Sequence, residues 1–354
     1  MLGFDDRVAK IVWTAFLVGL LLFLTYLIWS TLLVVIFAIF FSYLVYPLVQ
    51  VAERYKPPRM PRIWAIAIVF IFVMLIIAVA SMLFGTRMAN EAAHLGKQLP
   101  ELLNPENISQ RVPLPSFMEP LRERLLGLFN EQLHAGTAQA LPLVQRFGMG
   151  VMHAATNLIY IVLVPVLSFL LIKDAPKMRV EILSWLSEAN RPLWAAIADD
   201  LDVSLAGYVR ALLLLSIATF ASYSIVFAAF GVPYALLLAG IAALLEFIPF
   251  VGPLIAVGVI LGVSGFSGYE HLLWLVMFIL AYRIFQDYVL NPYLMSEGVE
   301  VSPLFVIVGL LAGEQLGGVT GIFLSVPVMA ALKIILVRAR AFRKGLIPIG
   351  ASPD

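Results

Sequence analysis

The chain has 354 residues, of which 62% are hydrophobic and 13% charged, and its net charge is +1. A soluble globular domain carries about 25% charged residues, so that class is excluded, and the near-neutral balance gives no footing for nucleic-acid binding. With no cysteine, disulfides and thiolate metal sites are excluded as well.

In chain order, apolar runs fall at 11–29, 31–52, 63–84, 150–172, 211–230, 233–265, 271–290 and 303–337. The first is long enough to span and no small-residue cleavage site follows it, so it reads as a retained anchor. Ser30-Thr31 joins it to the second, as a tight hairpin or as a continuous bent helix. Residues 85–149 mix Leu and Phe at helical spacing with charges and with Pro100, Pro105, Pro113, Pro115, Pro120 and Pro142, which predicts short amphipathic helices on the outer face. Residues 173–209 carry Trp185, Leu186, Trp194 and Ile197 between charges, and predict interfacial helices at the cytoplasmic surface.

Two of the runs are overlong. Val232–Gly265 contains Glu246-Phe-Ile-Pro249-Phe-Val-Gly252-Pro253, and Pro303–Val337 contains Glu314-Gln-Leu-Gly317-Gly318-Val-Thr-Gly321. As a straight helix either would be about 50 Å long, against a hydrocarbon core of about 30 Å. The chain must therefore break or turn back, and broken backbone at membrane depth survives only inside protein or beside water. Paired broken segments point to a transporter binding site. The predicted class is an all-α integral membrane protein with about eight transmembrane segments, two of them broken or re-entrant helical hairpins. It divides into N-terminal transmembrane helices (1–84), an extracytoplasmic amphipathic segment (85–149), a span (150–172), interfacial helices (173–209), a transport core (210–337) and a basic tail (338–354).

The basic residues orient these spans. Counting each overlong run as one crossing, with the N-terminus cytoplasmic, puts fifteen of the 23 Lys and Arg on the cytoplasmic side. Among them are Arg54, Lys56, Arg59 and Arg62, and Arg338, Arg340, Arg343 and Lys344. Segment 85–149 holds six basic residues balanced by six Glu, and the 291–302 loop has Glu297 and Glu300 without a basic residue, which suits the outside. The expected topology is multi-pass in a bacterial inner membrane, N-in and C-in.

An ionisable side chain in a membrane run costs roughly 2.5–3.5 kcal/mol on insertion scales, so each demands a reason. Glu246 lies three residues before Pro249, and Pro249 and Pro253 leave backbone carbonyls unpaired. A carboxylate among free carbonyls makes an oxygen-rich pocket for a cation or a hydroxylated solute. The plainer alternative is that Glu246 only caps freed amides. Glu314 stands in the same relation to Gly317, Gly318 and Gly321, which form either a hinge or a close-packing surface. Arg283, Asp287 and Asn291 share a helix face at i, i+4 and i+8, with Arg283–Asp287 read as a structural ion pair and Gln286 off that face. Lys333 lies near a helix end and can snorkel to headgroups.

Enzyme readings fall away. Gly262-Val-Ser264-Gly265 matches the Gly-x-Ser-Gly core of intramembrane serine proteases, but its one downstream His, His271, starts the next span. His94, His134, His153 and His271 have no metal-ligand spacing, and no Gly-rich phosphate loop with Lys occurs. No metal and no cofactor are expected beyond Na+ or H+ as a coupling ion.

Gly207-Tyr-Val-Arg210, Gly231-Val-Pro-Tyr-Ala-Leu-Leu-Leu238 and Ile248-Pro-Phe-Val-Gly-Pro253 are followed by Asn291-Pro292 and Ser302-Pro303-Leu304. Gly317-Gly-Val-Thr-Gly321, Ser325-Val-Pro327 and Leu332-Lys333 complete the set. In this order, over about residues 200–337, the set resembles the autoinducer-2 exporter family of bacterial membrane proteins, the PerM-like permeases. Ser302 departs from the His expected there. The resemblance implies a secondary transporter built as a homo-oligomer, a pentamer, with an elevator-like mobile part in membrane lipid. It also implies export of autoinducer-2 by some members and sodium/proton exchange by others. Three functions are carried forward: export of a small polar solute, sodium/proton antiport through Glu246, Asp287 and Glu314, and a non-transporting scaffold. Carboxylates at backbone breaks weigh against the last.

Overall fold

The computed structural model describes residues 6–102, 158–249, 251–294 and 302–344, and within these every regular element is a helix. They are α1 (Asp6–Leu27), α2 (Trp29–Tyr55), α3 (Arg62–Ala80), α4 (Thr86–Leu102), α5 (Leu158–Ser184) and α6 (Arg191–Ala229). After them come α7 (Ala235–Leu245), α8 (Val251–Phe266), α9 (Leu272–Phe285), α10 (Asn291–Leu294) and α11 (Pro303–Arg343). Wider π-turns, Ser81–Gly85 and Gln286–Leu290, join α3 to α4 and α9 to α10. Five helices among the described residues are long and apolar enough to cross a membrane: Trp29–Tyr55, Arg62–Gln98, Arg191–Ala229, Leu272–Leu294 and Leu304–Arg343. The expected span 150–172 begins outside the described residues, and its described part lies in α5. The chain forms two compact units, residues 1–70 with 151–176, and residues 71–150 with 177–354.

In the first unit, only Ile28 separates α1 from α2, at φ −98° and ψ 14°. Ile28 N–H bonds Leu24 O and Leu32 N–H bonds Ile28 O, so the first two apolar runs form one bent helix rather than a tight hairpin. Apolar side chains on all sides of α1, including Trp13, Phe16, Leu21 and Phe23, are exposed, as befits a helix solvated by hydrocarbon. The core of this unit lies where Val34, Ala38, Val45 and Val49 of α2 and Ala65, Ile66 and Val69 of α3 are buried. Phe70 stands edge-on between Phe41 (6.1 Å) and Phe169 of α5 (5.6 Å). Pro57 forces Lys56 into extended backbone and ends α2. Arg62 Nε, opening α3, then reaches back 2.6 Å to Glu53 Oε1.

The second unit is built around α6, whose buried stripe reads Leu212, Leu215, Thr219, Tyr223 and Phe227. Residues 191–209 are the first half of this single long helix, which runs on through Gly207 without a break. Likewise 86–102 is one helix carried on from α3 through the π-turn; the rest of the expected outer segment, 103–149, lies outside the described residues. Helices α7 and α8 fold back on each other as a hairpin. Tyr269 Oη donates to Phe230 O (3.0 Å) at its open end, and Gly252 lies against Leu245 O at its tip. Leu238, Ala239, Ala242, Ala256 and Ile260 fill the space between α7, α8 and their neighbours.

Helix α11 also turns back. Gly318 has φ 57° and ψ −138°, a region only glycine occupies without strain. Beyond it the arms run antiparallel: Gly313 lies against Gly321, and Gly309 against Ser325 and Met329. The run 303–337 is thus not one straight helix. Helices α6 and α9 are antiparallel, with Phe227 on Phe278 (6.0 Å) and Thr219 on Tyr282 (3.0 Å). Consequently α10 packs on α6 toward the end where Arg338 holds Asp200.

Candidate functional site

The two folded-back tips meet: the rings of Phe247 and Phe323 are 6.0 Å apart. Glu246 caps the C-terminus of α7 at the first tip. The turn after it is closed locally, by Ile248 N–H to Leu245 O (3.0 Å), Val251 N–H to Pro249 O (2.7 Å) and Gly252 N–H to Ile248 O (2.9 Å). Only glycine fits at 252, since a Cβ there would stand 1.8 Å from Leu245 O. Pro249 and Gly252 therefore shape the turn, and Pro253 continues α8 from its third residue.

The Glu246 carboxylate is not capping amides of its own turn. Thr219 Oγ1 of α6 donates to Oε1 (3.2 Å), and Gln286 Nε2 of the π-turn donates to Oε2 (2.8 Å). Thr219 Oγ1 also lies 3.0 Å from Tyr282 Oη, and Ser216 Oγ donates to Ala243 O (2.8 Å) just before the tip. Thr219 and Gln286 are 1% and 2% exposed, so these polar groups are held away from solvent and lipid. Burial makes each bond to the carboxylate count, because an unpaired buried polar group costs its full desolvation penalty.

From Gln286 the polar chain continues. Arg283 Nη1 approaches Gln286 Oε1 (3.5 Å), Arg283 Nε pairs with Asp287 Oδ2 (3.0 Å), and Asn291 Nδ2 donates to Asp287 Oδ1 (3.1 Å). Arg283, Asp287 and Asn291 therefore interact as their spacing indicates, and Gln286 links them to Glu246. Asn291 Oδ1 is buried with no partner. Glu314 sits on the arm before Gly318 and is exposed, as Gly318 is, while Gly317 and Gly321 are partly buried.

Thr219, Tyr282 and Gln286 are the members that residue spacing did not bring forward. Each is a polar residue in an otherwise apolar buried stripe: Thr219 in the α6 stripe, and Tyr282 and Gln286 after Leu275 and Ile279. That interruption is the available signal. Ser264, by contrast, is fully buried with no hydrogen bond to its hydroxyl, and His271 stands edge-on to the Tyr269 ring at 5.9 Å. Nothing there activates a serine. Among the described residues no cluster of three His, Cys, Asp or Glu is placed to hold a metal.

What the arrangement offers is a carboxylate, hydroxyls, an amide and an ion pair joined in series beside the tip of the α7–α8 hairpin. Residues 11–341 match the AI-2E family transporters. The chain belongs to that family. Its similarity to the AI-2 transport protein TqsA of Escherichia coli is 29% identity over 308 residues, 85% of this chain and 84% of that protein. Bacillus subtilis YrrI is 26% identical over 317 residues, covering 85% and 84%. Methanocaldococcus jannaschii MJ1177 is 25% identical over 326 residues, covering 89% and 92%. This AI-2E chain is thus a membrane transporter related along most of its length to a protein named for AI-2 transport.

Proposed function

We propose that the chain exports a small polar organic solute, autoinducer-2-like in its hydroxyl groups, across the bacterial inner membrane, and couples export to a proton or sodium gradient. The observation that carries this reading is the Glu246 carboxylate at a helix break, gripped by Thr219 and Gln286, with the neighbouring Phe247 ring against Phe323 of the second hairpin. Such a group can take a proton or a cation in exchange for its hydrogen bonds, and a hydroxylated solute can replace the same partners. The name of TqsA supports AI-2 or a close analogue as the first solute to assay.

In this reading both hairpins are re-entrant and enter from opposite faces. The open end of the α7–α8 hairpin, at Phe230 and Tyr269, lies on the outer side; the ends of α11 lie with Arg338–Lys344 in the cytoplasm, in keeping with the basic-residue bias. The assembly is a homo-oligomer, taken as a pentamer from the resemblance, and the uncovered apolar surface of α1 and α2 supplies lipid or subunit contacts. Pro249, Gly252, Pro253, Gly317, Gly318 and Gly321 shape the pathway, and Glu246, Asp287, Asn291 and Glu314 line or tune it.

The test is flux in proteoliposomes with labelled solute and an internal pH dye, with and without sodium. Glu246→Gln keeps the size and removes the charge, so gradient-driven flux should vanish while solute exchange at equal concentrations survives. Full gradient-driven flux in this variant would sink the assignment and move it to Glu314. Sodium/proton antiport is the second reading, favoured by the Thr219 hydroxyl on Glu246 and the Tyr282 hydroxyl beside it; proton movement driven by sodium without any solute would select it.

A further inference from the structure

Helix α4 is bound along one side to the α7–α8 hairpin and α6. Phe84, just before it, meets Phe220 of α6 edge-on at 5.4 Å. The Met88 side chain lies over Gly240, where a Cβ would stand 2.1 Å from Met88 Cε. Glu91 Oε2 accepts the Leu237 N–H (2.8 Å), and Gln98 Oε1 accepts the Tyr234 hydroxyl (2.6 Å). Positions 84, 88, 91 and 98 recur at helical spacing, so a single face makes all four contacts.

The place where this face binds is unusual. Leu237 is the third residue of α7, so its N–H is one of those a helix start leaves without an intrahelical acceptor. No side chain of the preceding turn caps it; the acceptor comes from a helix about 140 residues earlier in the chain. Tyr234, directly before α7, is the one non-glycine residue with positive φ among the described residues (56°). A bulky residue in the left-handed region is strained and persists only where its surroundings hold it. Its hydroxyl bond to Gln98 is such a hold.

We propose that α4 is a latch on the α7–α8 hairpin, with Glu91 and Gln98 as positioning residues that fix the orientation of α7 and hence of Glu246 at its far end. Helix α7 spans eleven residues, Ala235–Leu245, and transmits the setting as a rigid rod from the Glu91 contact to the Glu246 carboxylate. Releasing the latch lets Tyr234 leave the left-handed region, swings α7 about its start, and opens the tip. This rests on the reading of Glu246 at the hairpin tip as the coupling group, but the latch contacts themselves do not depend on the solute or the coupling ion.

The experiment uses the full chain, which has no native cysteine. A single Ala256→Cys, at a small buried position in the second turn of α8, reports opening of the hairpin by its rate of labelling with a membrane-impermeant thiol reagent in proteoliposomes. Paired with Glu91→Ala plus Gln98→Ala, the labelling rate should rise roughly fivefold, the equilibrium shift expected for loss of one helix cap. Glu91→Gln, which keeps an acceptor oxygen, should restore the slow rate. If the double variant inserts at normal levels and labels at the parent rate, α4 is a passive brace and the proposal fails. If labelling rises while Glu246→Gln retains gradient-driven flux, the latch stands and the assignment of Glu246 as coupling group is what falls. If the double variant inserts poorly, Tyr234→Phe, which loses only the bond to Gln98, is measured instead; an unchanged rate there overturns the role of that bond.

Discussion

Three Gly→Ala substitutions on helices of this chain should behave in three different ways. At Gly321 the new methyl would stand 1.9 Å from Gly313 O, a backbone atom that cannot rotate away. Reaching an ordinary contact near 3.4 Å requires the two arms of α11 to separate by about 1.5 Å where they touch. Overpacking of this kind costs typically 1–3 kcal/mol, and the shift propagates to the Phe247–Phe323 contact between the tips. At Gly318 there is open space for a methyl but φ is 57°, so the cost is backbone strain of roughly 1–3 kcal/mol. At Gly258 in α8 nothing lies within 4 Å and the backbone is helical, so alanine should stabilise by up to about 1 kcal/mol. The assay is retention of the folded peak after heating in detergent, with initial flux on the same preparations. Expected midpoints fall for Gly321→Ala and Gly318→Ala and hold or rise for Gly258→Ala. Flux falls most for Gly318→Ala, where the fold-back itself is strained. Wild-type thermal behaviour and flux in Gly321→Ala would refute the close approach of the two arms.

Gln286→Leu removes the donor to Glu246 and the acceptor for Arg283. A bond to a charged group is worth about 1.5–3 kcal/mol, so half-saturation by the coupling ion should rise about tenfold or more with smaller loss of maximal rate; unchanged ion dependence would show that Gln286 is only core filling. For topology, Cys at Lys97 should label with an impermeant reagent on intact cells and Cys at Lys344 only after permeabilisation, and the reverse pattern would invert the assigned orientation.

The breaks were the most legible part of the sequence, because proline and glycine act on the backbone locally. Pro249 with Gly252, and Gly318, stand where the chain folds back. The Arg283–Asp287–Asn291 series was legible for the same reason, since its partners lie one turn apart. Thr219 and Tyr282 were not, because Thr219 reaches Glu246 across 27 residues and pairs with Tyr282 across 63, and a lone hydroxyl in an apolar helix carries no local pattern. Gln286 lies off the charged face, as its spacing indicates. Its own direction is the buried stripe of Leu275, Ile279 and Tyr282. The charged first half of α6 read as interfacial since hydropathy falls while the helical backbone continues, and a hydropathy pattern does not record where hydrogen bonding ends.

The two fold-backs also bring helix ends of opposite polarity together. At the first tip α7 stops and α8 starts, and at Gly318 one arm of α11 stops and the other starts. Each stop presents carbonyls with the equivalent of about half a negative charge, and each start presents amides with about half a positive charge. With Phe247 and Phe323 in ring contact, these four ends share one neighbourhood. A spherical cation can use only the carbonyl half of such a neighbourhood. A molecule bearing both hydroxyl donors and oxygen acceptors could use both halves at once, which gives the proposed hydroxylated solute a reason to be preferred that lies in the backbone and not in any side chain.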